Sequence, residues 1–64
     1  MKIKYDKETD ILYIRLKDVA IEESEEDKKG VILDYSADGQ LVGIEVLNAS
    51  QAMDQPSKIE YEMA

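Results

Sequence analysis

Apolar and polar residues alternate at the start of the chain with a period of two, which is typical of a half-buried β-strand. Met1, Ile3 and Tyr5 fall on one side of the first such segment. The polar, turn-like residues 6–10 separate it from a second segment, residues 11–16, which is rich in β-branched and aromatic side chains. The pattern therefore predicts a β-hairpin.

The same plan recurs later in the chain. Residues 31–35 and 41–47 both alternate, and Ser-Ala-Asp-Gly at residues 36–39 lies between them. Asp-Gly between two alternating segments is a strong signal for a hairpin turn. We therefore predict a second β-hairpin. The recurrence is explained equally well by an internal duplication or by two unrelated hairpins that share the same alternation of apolar and polar residues.

Both faces of the predicted sheet carry apolar side chains. The face expected to be the inner one holds Ile3, Tyr5, Leu12, Ile14, Leu16, Val42, Ile44 and Val46, and the other holds Ile11, Ile32, Leu41 and Leu47. A single small sheet needs a covered face to be stable by itself. We therefore expect a homodimer whose interface is one sheet face or the C-terminal arm.

An acidic run joins the two hairpins. Residues 22–27 contain five of the fifteen acidic side chains, namely Glu22, Glu23, Glu25, Glu26 and Asp27. Repulsion between like charges favours an extended, solvated segment. We predict a strand from about Val19 to Glu22 that frays into a mobile loop. This run is a candidate docking strip for a basic partner, and the alternative is a solvated connector.

The C-terminal residues predict one helix and an arm. Asn48 is a good N-cap for a short helix over residues 49–53, and Pro56 ends it. Residues 57–63 alternate again, with Ile59, Tyr61 and Met63 on one side. This tail is predicted to be either a fifth strand or an arm that pairs with a neighbouring chain.

Composition narrows the function classes. The chain has 64 residues and therefore forms one domain of marginal stability. It lacks cysteine and histidine, so disulfides are excluded, and we predict neither a zinc or copper site nor a cofactor. The net charge of -7 argues against binding to nucleic acid. No apolar segment approaches a membrane span, so we expect a cytoplasmic protein that does not bind membranes.

Residues 34–45, DYSADGQLVGIE, resemble a calcium-binding loop. Acidic or hydroxyl side chains and a glycine occupy the positions that an EF-hand requires. An EF-hand loop, however, needs a helix on each side, and both flanks here have the period of strands. Since Gly39 also supplies the positive φ of a hairpin turn with a bulge, we interpret the segment as a turn without a metal ion.

Three further side chains are candidates for a binding surface on the sheet. Asp34 and Glu45 fall on one face and form the only plausible carboxylate pair, whose pKa values burial would raise. The favoured interpretation is a solvated pair or one bridged to Arg15. When the hairpins are superposed at an offset of 30 residues, Tyr13 opposes Gly43, and its ring is predicted to lie over that glycine.

Two long segments, MKIKYDKETDILYIRLKD and GVILDYSADGQLVGIEVLNAS, resemble the small prokaryotic family catalogued as domain of unknown function 2283. The resemblance covers residues 1 to about 50. The matching positions are Tyr5, Asp6, Asp10, Gly30, Asp34, Tyr35, Asp38, Gly39, Gly43, Ile44, Glu45, Asn48, Ala49 and Ser50. The family has no established activity or catalytic residues. Some members are encoded beside short toxin-like proteins, which implies an antitoxin-type role.

The sequence thus predicts a single α+β domain, mostly β, over residues 1–64. It consists of a small antiparallel sheet built from two hairpins, one short C-terminal helix, and a fifth strand or arm. The predicted function is that of a non-catalytic interaction protein, acidic and antitoxin-like, that binds a small basic protein. The alternative is a small ligand-binding protein or enzyme that uses the Asp34–Glu45 carboxylate pair.

Overall fold

The computed structural model describes all residues from 1 to 64 and contains one antiparallel sheet of five strands and one short helix. The strands are β1 (Lys2–Asp6), β2 (Ile11–Arg15), β3 (Glu23–Lys28), β4 (Val31–Tyr35) and β5 (Leu41–Leu47), and the helix is α1 (Ala49–Ala52). Their order across the sheet is β1-β2-β5-β4-β3. The predicted mostly-β α+β fold is therefore confirmed.

Both predicted hairpins are present. Strand β1 pairs with β2, and β4 pairs with β5. Gly39, at the tip of the β4–β5 turn, has a φ of 85°, which explains why glycine follows Asp38 there. The Ser36 backbone N–H donates to the Gln40 carbonyl at 2.9 Å and closes this turn. The interpretation of residues 36–39 as a hairpin turn is confirmed.

The acidic run forms a strand, so the prediction of a mobile loop over residues 22–27 is wrong. Residues 19–22 form no strand, and β3 instead spans Glu23–Lys28. Gly30 has a φ of 84° and turns the chain directly from β3 into β4. Pairing with β4 satisfies the backbone groups along one side of β3. In a strand the acidic side chains alternate between two solvated faces, which weakens their repulsion.

The strand register defines two faces of the sheet. We call one of them the apolar face; in β1, β2, β4 and β5 it carries Ile3, Tyr5, Leu12, Ile14, Val31, Leu33, Tyr35, Val42, Ile44 and Val46. These four strands place no charged side chain on it. The opposite face, which we call the polar face, carries Lys4, Tyr13, Glu45 and Ile32 in one cross-strand row. The residues predicted to share the inner face therefore do lie on one apolar face, except Leu16, which follows the end of β2.

Very little of the chain is buried. Leu12, Val42 and Ala49 are the buried apolar side chains. The molecule measures 33 × 31 × 19 Å, which corresponds to a single layer of sheet. Domains normally bury a sheet face against a second layer, and α1, with four residues, is too short to provide one.

The C-terminal segment forms no strand within the chain, so the prediction of a fifth strand there is wrong. Residues 53–64 contain only turns and irregular backbone. Tyr61 and Met63 are 75% and 84% exposed. Residues 57–64 are all exposed, so the segment is an arm, and its pairing with a neighbouring chain stays a prediction.

The helix is present, but it is capped differently from the prediction. Asn48 adopts a left-handed conformation with φ 52°, and its side chain makes no capping hydrogen bond. Asp10 provides the cap instead. Its carboxylate accepts hydrogen bonds from the Ser50 N–H at 2.9 Å and the Ser50 hydroxyl at 2.6 Å, and its carbonyl accepts from the Ala49 N–H.

Candidate functional site

Strand β3 forms an acidic edge of the sheet. It pairs only with β4, so its outer backbone groups have no partner strand. Every residue of β3 is exposed, including Glu23, Glu25, Glu26 and Asp27. Glu22 precedes the strand, and its N–H donates to the Tyr35 carbonyl at 2.8 Å. The five predicted interaction residues are therefore brought together along one ordered edge, which we call the acidic edge.

None of these five carboxylates is neutralised within the chain. The one salt bridge in the structure joins Lys58 and Glu60 in the C-terminal arm at 3.9 Å. Glu26 accepts a hydrogen bond from the Gly30 N–H at 3.0 Å, and this contact leaves its charge in place. The acidic edge therefore presents a concentrated negative potential to solvent.

A second cluster, the carboxyl pair of Asp34 and Glu45, lies on the polar face near the centre of the sheet. Asp34 is only 3% exposed and accepts a hydrogen bond from the Ser24 hydroxyl at 2.6 Å. Gly43, directly opposite Asp34 in the register, makes room for this carboxylate. A Cβ atom at residue 43 would lie 3.0 Å from the Asp34 Oδ2.

Neither carboxylate of the pair forms a salt bridge, and Asp34 is buried, so the interpretation as a solvated or Arg15-bridged pair is wrong for Asp34; Glu45 is half-buried at the cleft. The Arg15 guanidinium donates to the carbonyls of Lys17 and Val19, at 2.9 and 2.6 Å, rather than to a carboxylate. Burial raises the pKa of Glu45, and the neighbouring Asp34 raises it further by accepting a hydrogen bond from the protonated Glu45 carboxyl and by repelling its charged form. The predicted rise in pKa therefore holds for Glu45.

A cleft of about 480 Å³ opens over the carboxyl pair. Its walls carry charges of both signs, from Lys2, Lys4, Arg15 and Asp18, together with the apolar side chain of Ile21. Tyr13 also lines the cleft, and the Lys4 ammonium lies 5.9 Å from the centre of its ring, within the range of a cation–π interaction.

The prediction that Tyr13 covers Gly43 is wrong. Tyr13 pairs with Glu45 in the register, whereas Arg15 pairs with Gly43. The offset of 30 residues aligned the hairpins in parallel, but β2 and β5 pair in antiparallel orientation. Asp34, rather than an aromatic ring, therefore occupies the space beside the glycine.

Replacing Glu45 with glutamine is expected to stabilise the protein at neutral pH. The folded-state pKa of Glu45 is raised above its ordinary value of 4.5, which holds in the unfolded state. At a pH between the unfolded-state pKa and the folded-state pKa, the native state therefore binds more protons than the unfolded state. The stability of the parent protein therefore falls as pH rises through this window. Glutamine is neutral and can donate a hydrogen bond to Asp34, so the variant does not lose this stability as the pH rises. Urea unfolding across a pH series measures the effect.

Glu8→Gln provides the control for that experiment, because Glu8 is exposed in the β1–β2 turn and its replacement changes the net charge by the same amount. Below the ordinary glutamate pKa the difference between Glu45→Gln and the parent protein should shrink. Parallel stability curves for the parent and Glu45→Gln at all pH values would contradict the assignment of this pH dependence to Glu45.

Sequence reasoning missed a polar cluster that links the first hairpin to the helix. Asp10 has a φ of 57° and accepts a hydrogen bond from the Tyr5 hydroxyl at 2.7 Å, in addition to those from Ser50. The hydrogen bonds from Ser50 and then Tyr5 lower the pKa of Asp10. Three residues that carried the family resemblance are thus in contact, although no local pattern connects positions 40 residues apart. Their role is to hold α1 against the sheet.

The residues of the calcium-like stretch divide between two places. Asp38 accepts hydrogen bonds from the Ser36 hydroxyl and the Gln40 side chain at the turn, and the bond from Ser36 is the main reason that its pKa is lowered. Asp34 and Glu45 belong to the carboxyl pair. The structure contains no group of three or more acidic, histidine or cysteine side chains placed to hold a metal ion.

The structure also contains no helix with the length and apolar character that a membrane span requires.

Comparison with known proteins agrees with the resemblance seen in the sequence. A family model described as "Protein of unknown function (DUF2283)" matches residues 2–50, a range that includes all five strands. No curated protein and no solved structure matches the chain. The matched range covers most of the chain and ends at Ser50, the residue whose N–H and hydroxyl bind Asp10. The chain therefore belongs to the DUF2283 family of proteins of unknown function.

Proposed function

We propose that the protein is a non-catalytic interaction protein that binds a small basic protein along the acidic edge, in an antitoxin-like role. The observation that supports this proposal most directly is that the acidic run forms an ordered, fully exposed edge strand. An edge strand offers main-chain hydrogen bonds to an added strand, and the alternate side chains select its partner. The acidic edge favours an extended segment rich in lysine or arginine.

Order in β3 matters for affinity. Successive residues of a strand are about 3.3 Å apart, and alternate side chains share a face. Glu23 and Glu25 therefore lie on one face, and Ser24 and Glu26 lie on the other. A basic strand added outside β3 would meet carboxylates already held at the matching spacing, so that binding avoids the entropic cost of ordering a loop.

The test is binding of a labelled peptide of alternating lysine and threonine, measured by fluorescence anisotropy at low and high salt. We expect binding that weakens as salt rises, because exposed ion pairs are screened. Glu23→Gln with Glu25→Gln should raise the Kd about threefold to tenfold, since each exposed pair contributes up to about 1 kcal/mol.

The matched control is Glu8→Gln with Glu62→Gln, which removes the same charge from exposed positions outside the acidic edge. It should leave the Kd nearly unchanged. Equal weakening by both pairs of substitutions would show that net charge alone attracts the peptide. Equally tight binding of a peptide of alternating glutamate and threonine would also contradict the proposal.

A second candidate function is the binding of a small ligand in the cleft over the carboxyl pair. It is favoured by the position of the buried Asp34 and of Glu45 among the residues that line a cleft of about 480 Å³, a size within the range of ligand sites. The two candidates differ in their response to Glu45→Gln. Peptide binding at the acidic edge should survive that substitution, whereas a ligand that contacts the carboxyl pair should lose affinity.

A further inference from the structure

The apolar face lacks the second layer that a sheet of this kind requires. Strands β1, β2, β4 and β5 carry ten apolar side chains on that face, and only Leu12 and Val42 among them are buried. The chain exposes 5174 Å² of surface, whereas a compact monomer of its mass exposes roughly 4,200 Å². The excess of about 1,000 Å² is close to what one partner buries in a standard interface, about 800 Å².

We propose that a second copy of the chain covers the apolar face, with a two-fold axis that runs parallel to the strands and passes over β5. The interface would be a sheet-on-sheet packing, with the two sheets about 10 Å apart. This dimer would place Glu23 and Glu25 of the acidic edge at the rim of its interface and leave the outer backbone groups of β3 free, and the inference does not rest on the proposed function.

Charge favours this axis over a two-fold axis that runs across the strands. On the apolar face the two edge strands differ in charge, since β1 places Ile3 and Tyr5 there and β3 places Glu23 and Glu25 there. A two-fold axis across the strands would stack each β3 on the β3 of the other copy and bring like charges together. An axis along the strands instead stacks β1 on β3 of the second copy, so the glutamates of β3 approach uncharged side chains of β1 and like charges stay apart.

The register then specifies which side chains meet. Ile3, Ile14, Ile44, Leu33 and Glu25 form one cross-strand row on the apolar face. An axis parallel to the strands superposes this row on itself in reverse order. Ile44 would therefore face Ile44 of the second copy, Ile14 would face Leu33, and Ile3 would face Glu25 at the edges.

The absence of cysteine from the chain makes a direct crosslinking test available. Ile3→Cys and Glu25→Cys place a single thiol at either edge of the row, where both residues are exposed and substitution should not disturb folding. The variants are mixed, allowed to exchange subunits, and treated with a short bismaleimide reagent of about 10 Å, the spacing of packed sheets. We expect a covalent dimer in the mixture and at least tenfold less in either variant alone.

The same experiment separates the alternatives. Efficient crosslinking of Ile3→Cys alone, or of Glu25→Cys alone, would overturn the proposed axis, because an axis across the strands stacks each edge on itself. Light scattering on the unmodified chain should give twice the chain mass, and its Tm should rise by several degrees over about a hundredfold increase in concentration. A monomer with a constant Tm would overturn self-association.

Discussion

Replacing Leu12 with alanine is expected to leave little folded protein. Leu12 and Val42 are the only large apolar side chains that are buried, and Leu12 lies on the central strand pair, opposite Val46 of β5. Truncation of a buried leucine costs about 2–5 kcal/mol, from lost transfer free energy and from the cavity that remains. A core of this size rarely supplies more than about 3–5 kcal/mol, so the substitution removes most of the stability.

Urea unfolding followed by circular dichroism measures this effect. The matched control is Ile59→Ala, which removes a similar side chain from the C-terminal arm, where Ile59 is 53% exposed. That change should alter the free energy of unfolding by less than about 0.5 kcal/mol. If both substitutions destabilised the protein equally, Leu12 could not be the centre of the core and the arm would have to be packed against the sheet.

Replacing Gly43 with alanine is expected to destabilise the protein by about 1–3 kcal/mol, the usual cost of excess volume in a packed site. The added methyl carbon would lie 3.0 Å from the Asp34 Oδ2 and 3.4 Å from the Ile14 carbonyl oxygen. Asp34 is buried and held by Ser24, so it cannot move aside without losing that hydrogen bond. Thermal and urea unfolding measure the loss.

A double-mutant cycle with Asp34→Ala identifies the cause. In the Asp34→Ala background, Gly43→Ala should cost less than half as much, because the nearest obstructing atom is gone and only the longer contacts, 3.4 Å to the Ile14 carbonyl oxygen and 3.5 Å to the Cβ of residue 34, remain. Residues in contact commonly show coupling energies of about 0.5–3 kcal/mol. Additive effects of the two substitutions would show that Gly43 is required for a backbone reason unrelated to the carboxyl pair.

Asp34 and Asp10 show where sequence reasoning reached its limit. Both aspartates were identified as positions of the family resemblance, yet their surroundings were not foreseen. Asp34 was expected to be solvated and is buried beside a glycine. Asp10 lies in the predicted polar turn and, in addition, caps a helix that begins at Ala49. Each environment depends on residues distant in the chain, so no local pattern could reveal it.

The acidic run shows a different limit. Composition treats adjacent carboxylates as a source of repulsion, and it therefore predicted a mobile loop over residues 22–27. The short turn at Gly30 and the backbone hydrogen bonds to β4 outweigh that repulsion, because alternate side chains point to opposite faces and remain solvated. Gly30 is a turn signal in the sequence, but the residues before it form a strand only because β4 is available to pair with them.

The sequence by itself determined four strands, two hairpin turns, the position of the short helix and a continuous apolar face. These features follow from periods and turn residues that act within a few positions of one another. The tertiary structure decided the fifth strand, the burial of Asp34, the rise in the pKa of Glu45 and the capping of α1 by Asp10. Those depend on strand order and register, which are set when distant segments pair, and it is this pairing that leaves the apolar face open and the acidic edge exposed.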